Sequence, residues 1–365
     1  MIRLSKSVIG KEEIKAVSKV LDKEFLGMGE EVAVLENKLS EFFDSNAVCV
    51  NTGTSALQLA VQAAGIKDGD EVLVQSITYL ASFQAISAAG AKPVACEINP
   101  KTFTIDLDDA LSKVNKNTKA IMPVHYAGNP GDLDKIYLFA KKHNLRIIED
   151  AAHAFGSLYN DKLIGSQGDI ICFSFDGIKN ITSGEGGAII SKDKKLIERI
   201  MDLRLLGVKK DSQKRYKNDR TIQISVDEQG WRYHMSNIMA AIGIEQFNKF
   251  PVFRKIRQER AKLYVKLLKN NNSLSLIEMD YDDVVPHIFP VILNNYNRDE
   301  LRSQLLEKGI QTGIHYYPNH LLEFYKSKRL SVSETFYTSL LTLPLHPDIS
   351  EDDVKYVVDQ LNLLI

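Results

Sequence analysis

Five groups of residues in this chain have the types and spacing to do chemistry together. Lys179 follows Phe173-Ser174-Phe175-Asp176-Gly177-Ile178 and precedes a turn rich in Thr, Ser and Gly, Thr182-Ser183-Gly184-Glu185-Gly186-Gly187. Flanked in this way, its amine is expected in an enclosed position, where partial burial lowers the pKa and leaves a free base or nucleophile. Asp150 closes the apolar run Ile147-Ile148-Glu149, and His153 lies three residues on. A carboxylate at such a place is costly without a partner, and a protonated pyridine nitrogen is a suitable one. His153 would then reach the ring's phenolic oxygen if a turn follows. Gly53-Thr54-Ser55 admits close backbone approach, carries two hydroxyls and opens a helix whose free N–H groups point at an anion. Ser174 could add a further hydroxyl to that phosphate site. Tyr79, or second to it Phe83, could stack on a flat ring. Lysine, acid, phosphate cradle and stacking aromatic are what pyridoxal 5′-phosphate requires of a protein.

Each residue taken singly has a plainer account. A Thr or Ser opening a helix is more often an N-cap. An acid at a strand end can cap a helix or bind a metal. Most lysines are solvated, and an aromatic after a strand is commonly core. The order of the four features along one stretch of chain is what favours the cofactor.

The elements that must position them follow a simple pattern. Val32, Leu35, Leu39 and Phe42 recur at helical spacing, and Thr54 to Ala64 and Leu133 to His143 read as helices. Ala47 to Val50, Val72 to Val74, Val94 to Cys96, Ala120 to Val124 and Ile147 to Ile148 read as buried strands. Strands alternating with helices imply an α/β fold with a mixed, mostly parallel sheet covered on both faces. Ligand sites in such sheets gather at the strand ends. Ile170 to Phe175 and Ala188 to Ser191 flank the Gly-rich loop as strands. Residues 208–230 are polar and poorly periodic and are expected to form a surface flap. A long helix is expected from about Met235 to Asn270, broken at Pro251. Strands at Ile288 to Leu293 and Thr312 to His315, with helices at Arg298 to Lys308 and from Glu351, suggest a smaller α+β domain. The division expected is a large domain over 1–250, including the N-terminal segment, and a small C-terminal domain over 251–365.

Composition narrows the function classes. The 365 residues are 44% hydrophobic and 25% charged, with a net charge of −1, so no general field favours nucleic acid or an anionic membrane. The opening residues lack the apolar run of a signal peptide, and no stretch is long enough to span a bilayer, so a cytoplasmic location is expected. Cys49, Cys96 and Cys172 lie far apart in apolar segments and are read as core rather than as a metal site or disulfides.

The blocks NTGTSALQLA, GDEVLVQSITYLAS, GAKPVACEI, IMPVHYAG, IIEDAAHAFGS, FSFDGIKNITSGEGG, MSNIMAAIG, GIHYYP and LTLPLHP resemble, in order and over nearly the whole chain, the DegT/DnrJ/EryC1/StrS aminotransferases, which make amino and deoxy sugars. The resemblance implies a fold-type-I transferase that depends on pyridoxal 5′-phosphate and works as a homodimer with sites at the subunit interface. It assigns Lys179 to the Schiff base, Asp150 to the pyridine nitrogen and His153 to the phenolic oxygen. It assigns Thr54, Ser55 and Ser174 to the phosphate and Tyr79 to stacking. One segment departs from the pattern. Family members usually carry Gly-Tyr-Asn-x-Arg-Met, whose Asn reaches the phosphate in the neighbouring subunit; here Gly230-Trp231-Arg232-Tyr233-His234-Met235 stands instead. Arg232 could hold that phosphate bidentately, and Asn237 is a weaker candidate.

Some relatives have histidine at the lysine position and remove a hydroxyl, so Lys179 argues for amine transfer. The resemblance favours a nucleotide-linked keto sugar, 4-keto-6-deoxy over 3-keto, with L-glutamate as donor and 2-oxoglutarate as by-product. The alternatives kept open are a sugar-nucleotide dehydratase, a cyclitol transaminase and a non-catalytic regulatory protein of the same fold. His315, Tyr316 and His320, with Arg204 and Lys209 near the flap, are candidates for the sugar nucleotide. His315 and His320 could instead be satisfied polar groups at a domain seam.

Overall fold

The computed structural model describes all 365 residues. Its large sheet has seven strands: β1 (Asn46–Val50), β2 (Glu71–Gln75), β3 (Lys92–Cys96), β4 (Thr118–Met122), β5 (Arg146–Asp150), β8 (Ile170–Ser174) and β9 (Gly187–Ser191), with a short hairpin of β6 (Leu158–Tyr159) and β7 (Lys162–Leu163) between β5 and β8. The spatial order is β1-β9-β8-β5-β4-β2-β3. Only β9 runs against its neighbours, so β1, β2, β4, β5 and β8 all end on one edge.

Helices cover both faces. In chain order the helices of the whole protein are α1 (Lys11–Asp22), α2 (Glu30–Phe43), α3 (Gly53–Ala63), α4 (Leu80–Ala88), α5 (Leu107–Lys113), α6 (Leu133–His143), α7 (Lys194–Leu203), α8 (Asp211–Arg215), α9 (Asn237–Leu268), α10 (Arg298–Glu307), α11 (Ser331–Ser339) and α12 (Glu351–Leu364). Strand alternation divides the core. Cys49, Ile147, Ile171 and Phe173 face Leu35, Leu39 and Phe43 of α2 and Ile136 of α6. Val48, Ile148, Ile170 and Cys172 face Leu57 and Ala60 of α3, Phe83 of α4 and Ile200 of α7. All three cysteines are buried and unpaired.

The C-terminal unit is a three-stranded antiparallel sheet of β10 (Leu274–Leu276), β11 (Phe289–Leu293) and β12 (Leu340–Leu343) packed against α10, α12 and the end of α9. Two expectations change here. Pro251 does not break the long helix. Ala240 and Phe250 are buried in the large core while Ala261, Tyr264 and Leu268 are buried in the small one. That burial at both ends offsets the roughly 3 kcal/mol that an interior proline costs. One continuous helix therefore runs from the large core into the small one. Thr312 to His315 is not a strand, because only Gly313 pairs, with Thr342, before the chain turns towards the large domain. The N-terminal segment packs on the C-terminal unit: Ile2 bridges Ile310, and Leu4 O accepts from Leu345 N–H at 3.0 Å.

The 208–230 excursion is a surface feature, as expected, with Ile222 and Ile224 exposed. It carries the short helix α8. No helix is long and apolar enough to cross a membrane.

Candidate active site

The strand ends converge on a cavity of about 510 Å³ between the large sheet and the C-terminal unit. Its floor is Asp150, the last residue of β5, which is 5% exposed. Burial drives its pKa up, opposed by a hydrogen bond from Ser82 and another from the Ala152 N–H. Those donors lie at 2.7 Å from Oδ2 and 3.2 Å from Oδ1. Thr78 Oγ1 stands 3.0 Å behind Ser82 Oγ. No lysine or arginine pairs with this carboxylate. A buried acid held on two sides and open towards a cavity fits a cationic ring nitrogen.

Lys179 follows β8 on a turn whose N–H bonds to Asp176 O at 3.1 Å. Burial lowers its pKa to about 8, against the opposing pull of Asp176 and Asp150. The partner of Nζ is His287 Nε2 at 3.5 Å.

Thr52, Gly53 and Thr54 line the cavity at the start of α3. The first turn of a helix leaves its N–H groups without intrahelical acceptors. A Cβ on Gly53 would come within 2.8 Å of Ser174 Cβ, so glycine is what lets the helix start approach Ser174, which also lines the cavity. This cradle fits a phosphate. Ser55 differs from expectation. Its hydroxyl meets Asn51 Oδ1 and Thr52 O, each at 2.8 Å, and its N–H donates to Thr52 Oγ1 at 3.0 Å. Ser55 thus closes the helix cap and does not line the cavity.

His153 sits beside Lys179, buried, with its pKa driven well down by burial and by the neighbouring Lys179 and His315. Its Nδ1 accepts from the Ala127 N–H at 3.3 Å. The neutral ring therefore carries its proton on Nε2, which faces Tyr316 Oη at 2.9 Å. Tyr79, at the N-cap of α4, is 59% exposed, and its ring centroid is 5.6 Å from that of Tyr316. An exposed ring at the cavity wall can stack on a flat ligand. Phe83 cannot, being core and packed edge-on against Tyr325.

His315 and Tyr316 line the cavity, and His315 Nδ1 lies 2.9 Å from Thr342 Oγ1. Two further candidates are corrected. His320 is 1% exposed, its two ring nitrogens taken by Ser76 at 2.7 Å and Glu334 at 3.2 Å. Arg204 is fully buried, paired with Glu36 and bonded to Tyr216 Oη at 2.6 Å. Both are structural ties, and neither can meet a ligand. Lys209 pairs with Asp227 on the surface. Arg232 lies away from this cavity, in a smaller one with Arg215, Arg220 and His234. Asn237 is buried, bonded through Nδ2 to Phe25 O at 3.1 Å.

Asp176, Glu185, Ser82 and His287 complete the site and were not singled out from the sequence. Ser82 lies one helical turn after Tyr79, a spacing that could have found it. His287 comes from the opposite domain, and no local pattern marks it.

Comparison with known proteins agrees with the geometry. The family model described as the DegT/DnrJ/EryC1/StrS aminotransferase family matches residues 7–362. An uncharacterized protein of Methanocaldococcus jannaschii is 35% identical over 369 residues, covering 98% of this chain and 96% of the relative. The sugar aminotransferase CalS13 of Micromonospora echinospora superposes with a TM-score of 0.91 at 26% identity, covering 100% of each chain. Spr1654 of Streptococcus pneumoniae, solved in its PLP form, superposes with a TM-score of 0.92 at 26% identity over 100% of this chain and 98% of its own.

Proposed function

The chain belongs to the DegT/DnrJ/EryC1/StrS aminotransferase family and is a sugar aminotransferase dependent on pyridoxal phosphate; from that premise we propose that it moves an amino group from L-glutamate to a nucleotide-linked 4-keto-6-deoxy sugar, releasing 2-oxoglutarate, in surface polysaccharide or other glycan biosynthesis. The observation that carries the reading is the pairing, in one cavity, of a buried lysine of lowered pKa with a buried carboxylate that has no cation of its own.

Bound pyridoxal phosphate supplies an aldehyde for Lys179 and a protonated ring that draws electrons from the reacting carbon. The protein does the rest. Asp150, oriented by Ser82 and the Ala152 N–H, would keep the ring nitrogen protonated. Gly53, Thr54 and Ser174 would bind the phosphate. Tyr79 would cover one face of the ring, and His153, whose Nε2 faces Tyr316 Oη at 2.9 Å, would approach the phenolic oxygen. Lys179 Nζ would move the proton from the α-carbon of glutamate to the cofactor's aldehyde carbon in the first half-reaction, and from that carbon to the sugar carbon in the second. Positioned proton transfer of this kind contributes roughly a hundred- to ten-thousand-fold.

His315 and Tyr316 stand on the C-terminal side of the cavity, where they can meet the sugar nucleotide. Arg232, which does not line its own chain's cavity, is assigned to the phosphate of a second copy, making a homodimer with shared sites. The test is an absorbance spectrum of the purified protein before and after L-glutamate, beside Lys179→Ala, followed by a panel of nucleotide-linked keto sugars. The expected result is a visible or near-ultraviolet band that converts with glutamate in the wild type and no turnover in the variant. A wild type that takes up pyridoxal phosphate without such a band overturns the Lys179 assignment. A band that ignores glutamate overturns the donor.

A further inference from the structure

His287 lines the same cavity as Lys179, although it arrives from the segment leading into β11. Its Nε2 is the one protein atom within hydrogen-bond reach of Lys179 Nζ, at 3.5 Å. The ring is held from several sides. Its backbone N–H donates to Ala127 O at 3.2 Å, and its carbonyl accepts from Arg257 Nη1 at 3.1 Å. Asn180, the neighbour of Lys179, donates to Val285 O at 3.2 Å, tying the two segments together. The imidazole packs on His153 with ring centroids 4.5 Å apart.

Arg257 gives this arrangement its electrostatic character. It is 1% exposed and pairs with no carboxylate, holding only the carbonyls of Pro286, His287 and Leu345. A buried cation behind the imidazole disfavours a second positive charge on it. Burial, Lys179, His153, Arg257 and His315 together keep His287 neutral. A neutral imidazole can accept from an ammonium or donate to an amine lone pair. His287 Nδ1 is buried without a partner, so the ring makes its polar contact through Nε2.

We propose that His287 is a positioning residue that holds the Lys179 amine through Nε2 whenever that amine is free of its covalent bond, aimed at the carbon whose proton it moves. The inference rests on the assignment of Lys179 made above. The other titratable and charged groups around Lys179 are Asp150 at the end of β5, His153 after it, Asp176 and Glu185 on its own loop, His315 and Tyr316 opposite, and Arg257 behind. None of these hydrogen-bonds Nζ in the structure.

The test compares full-length His287→Leu and His287→Gln with wild type. Two quantities are read: the pH midpoint of the rate at which protein stripped of cofactor, its Lys179 amine free, develops the bound absorbance band on adding pyridoxal phosphate, and the pH profiles of kcat and KM of the reloaded enzymes. His287→Leu should lower kcat on the order of tenfold or more, the loss expected for an oriented hydrogen bond to a charged group, with KM for glutamate nearly unchanged and the rate midpoint displaced. His287→Gln, which keeps an N–H and an oxygen at similar reach, should recover most of kcat and show an intermediate midpoint. An unchanged midpoint and kcat profile in a folded His287→Leu overturns the proposal. So does a loss of kcat at unchanged midpoint that glutamine does not rescue, since that marks packing alone. If His287→Leu does not fold, an unshifted midpoint in His287→Gln overturns it. A wild type without any band is a different failure, that of the Lys179 assignment itself.

Discussion

Ser82 Oγ donates to Asp150 Oδ2 at 2.7 Å, so the carboxylate at the end of β5 is aimed by a hydroxyl from the first turn of α4. The same helix start carries Tyr79. On the proposed reading, one element therefore orients the group beneath the ring nitrogen and supplies the aromatic that covers the ring. No lysine or arginine hydrogen-bonds Asp150, so on the proposed reading its carboxylate is left for the ligand.

Ser82→Ala should leave the fold intact and lower kcat/KM roughly tenfold, since one hydrogen bond to a charged group is worth about 1.5–3 kcal/mol. Asp150→Asn should cost more, on the order of a hundredfold or above, because it removes a buried charge's partner. Steady-state kinetics of the two variants, beside their thermal midpoints, check the order.

Lys179 should titrate near 8 rather than near the ordinary lysine value, because burial disfavours its charged form. Only the free amine attacks the cofactor aldehyde. In protein stripped of cofactor, the rate at which added pyridoxal phosphate develops its bound absorbance band should rise with pH up to about 8 and then level. A rate that climbs steadily towards pH 10 shows an unperturbed lysine.

Gly53→Ala should weaken cofactor binding, since the added Cβ meets Ser174 at 2.8 Å and must push the helix start away from the phosphate site. An equilibrium titration with pyridoxal phosphate should show at least about a tenfold loss, the size of one or two charge-assisted hydrogen bonds.

Arg204→Ala should act on stability rather than on substrate binding. It leaves Glu36 buried without its cation, a change that typically costs about 3–5 kcal/mol. It also releases Tyr216 and Ser212, which Arg204 ties to the start of the 208–230 excursion. Denaturant unfolding should show a lower midpoint, while KM for a sugar nucleotide in the surviving folded fraction stays unchanged.

Arg232→Ala and Lys179→Ala subunits, each inactive alone, should recover activity when unfolded and refolded together. A mixed dimer would place both defects in one site and leave the other whole. No recovery on mixing shows that Arg232 does not act across the interface.

The alternation of apolar strands and helices set the large sheet by itself, because each strand buried on both faces must be apolar along its length. Strand ends then located Gly53, Asp150, Ser174 and Lys179, since in a parallel sheet those ends share one edge. Local pattern could not assign the direction of a side chain once competing partners existed. Ser55 turned into its own helix cap. Arg204 and His320 carried the charge and polarity of ligand contacts but were consumed by Glu36 and Ser76, residues distant in sequence, and by Glu334 on α11. Pro251 marked a break that two separate cores overrode. His287 lay outside local view altogether. The sequence determined which strand ends would meet at one cavity. Tertiary packing decided which side chains remained free for it, because hydrogen-bond partners and buried charges are settled by contacts between segments far apart in the chain.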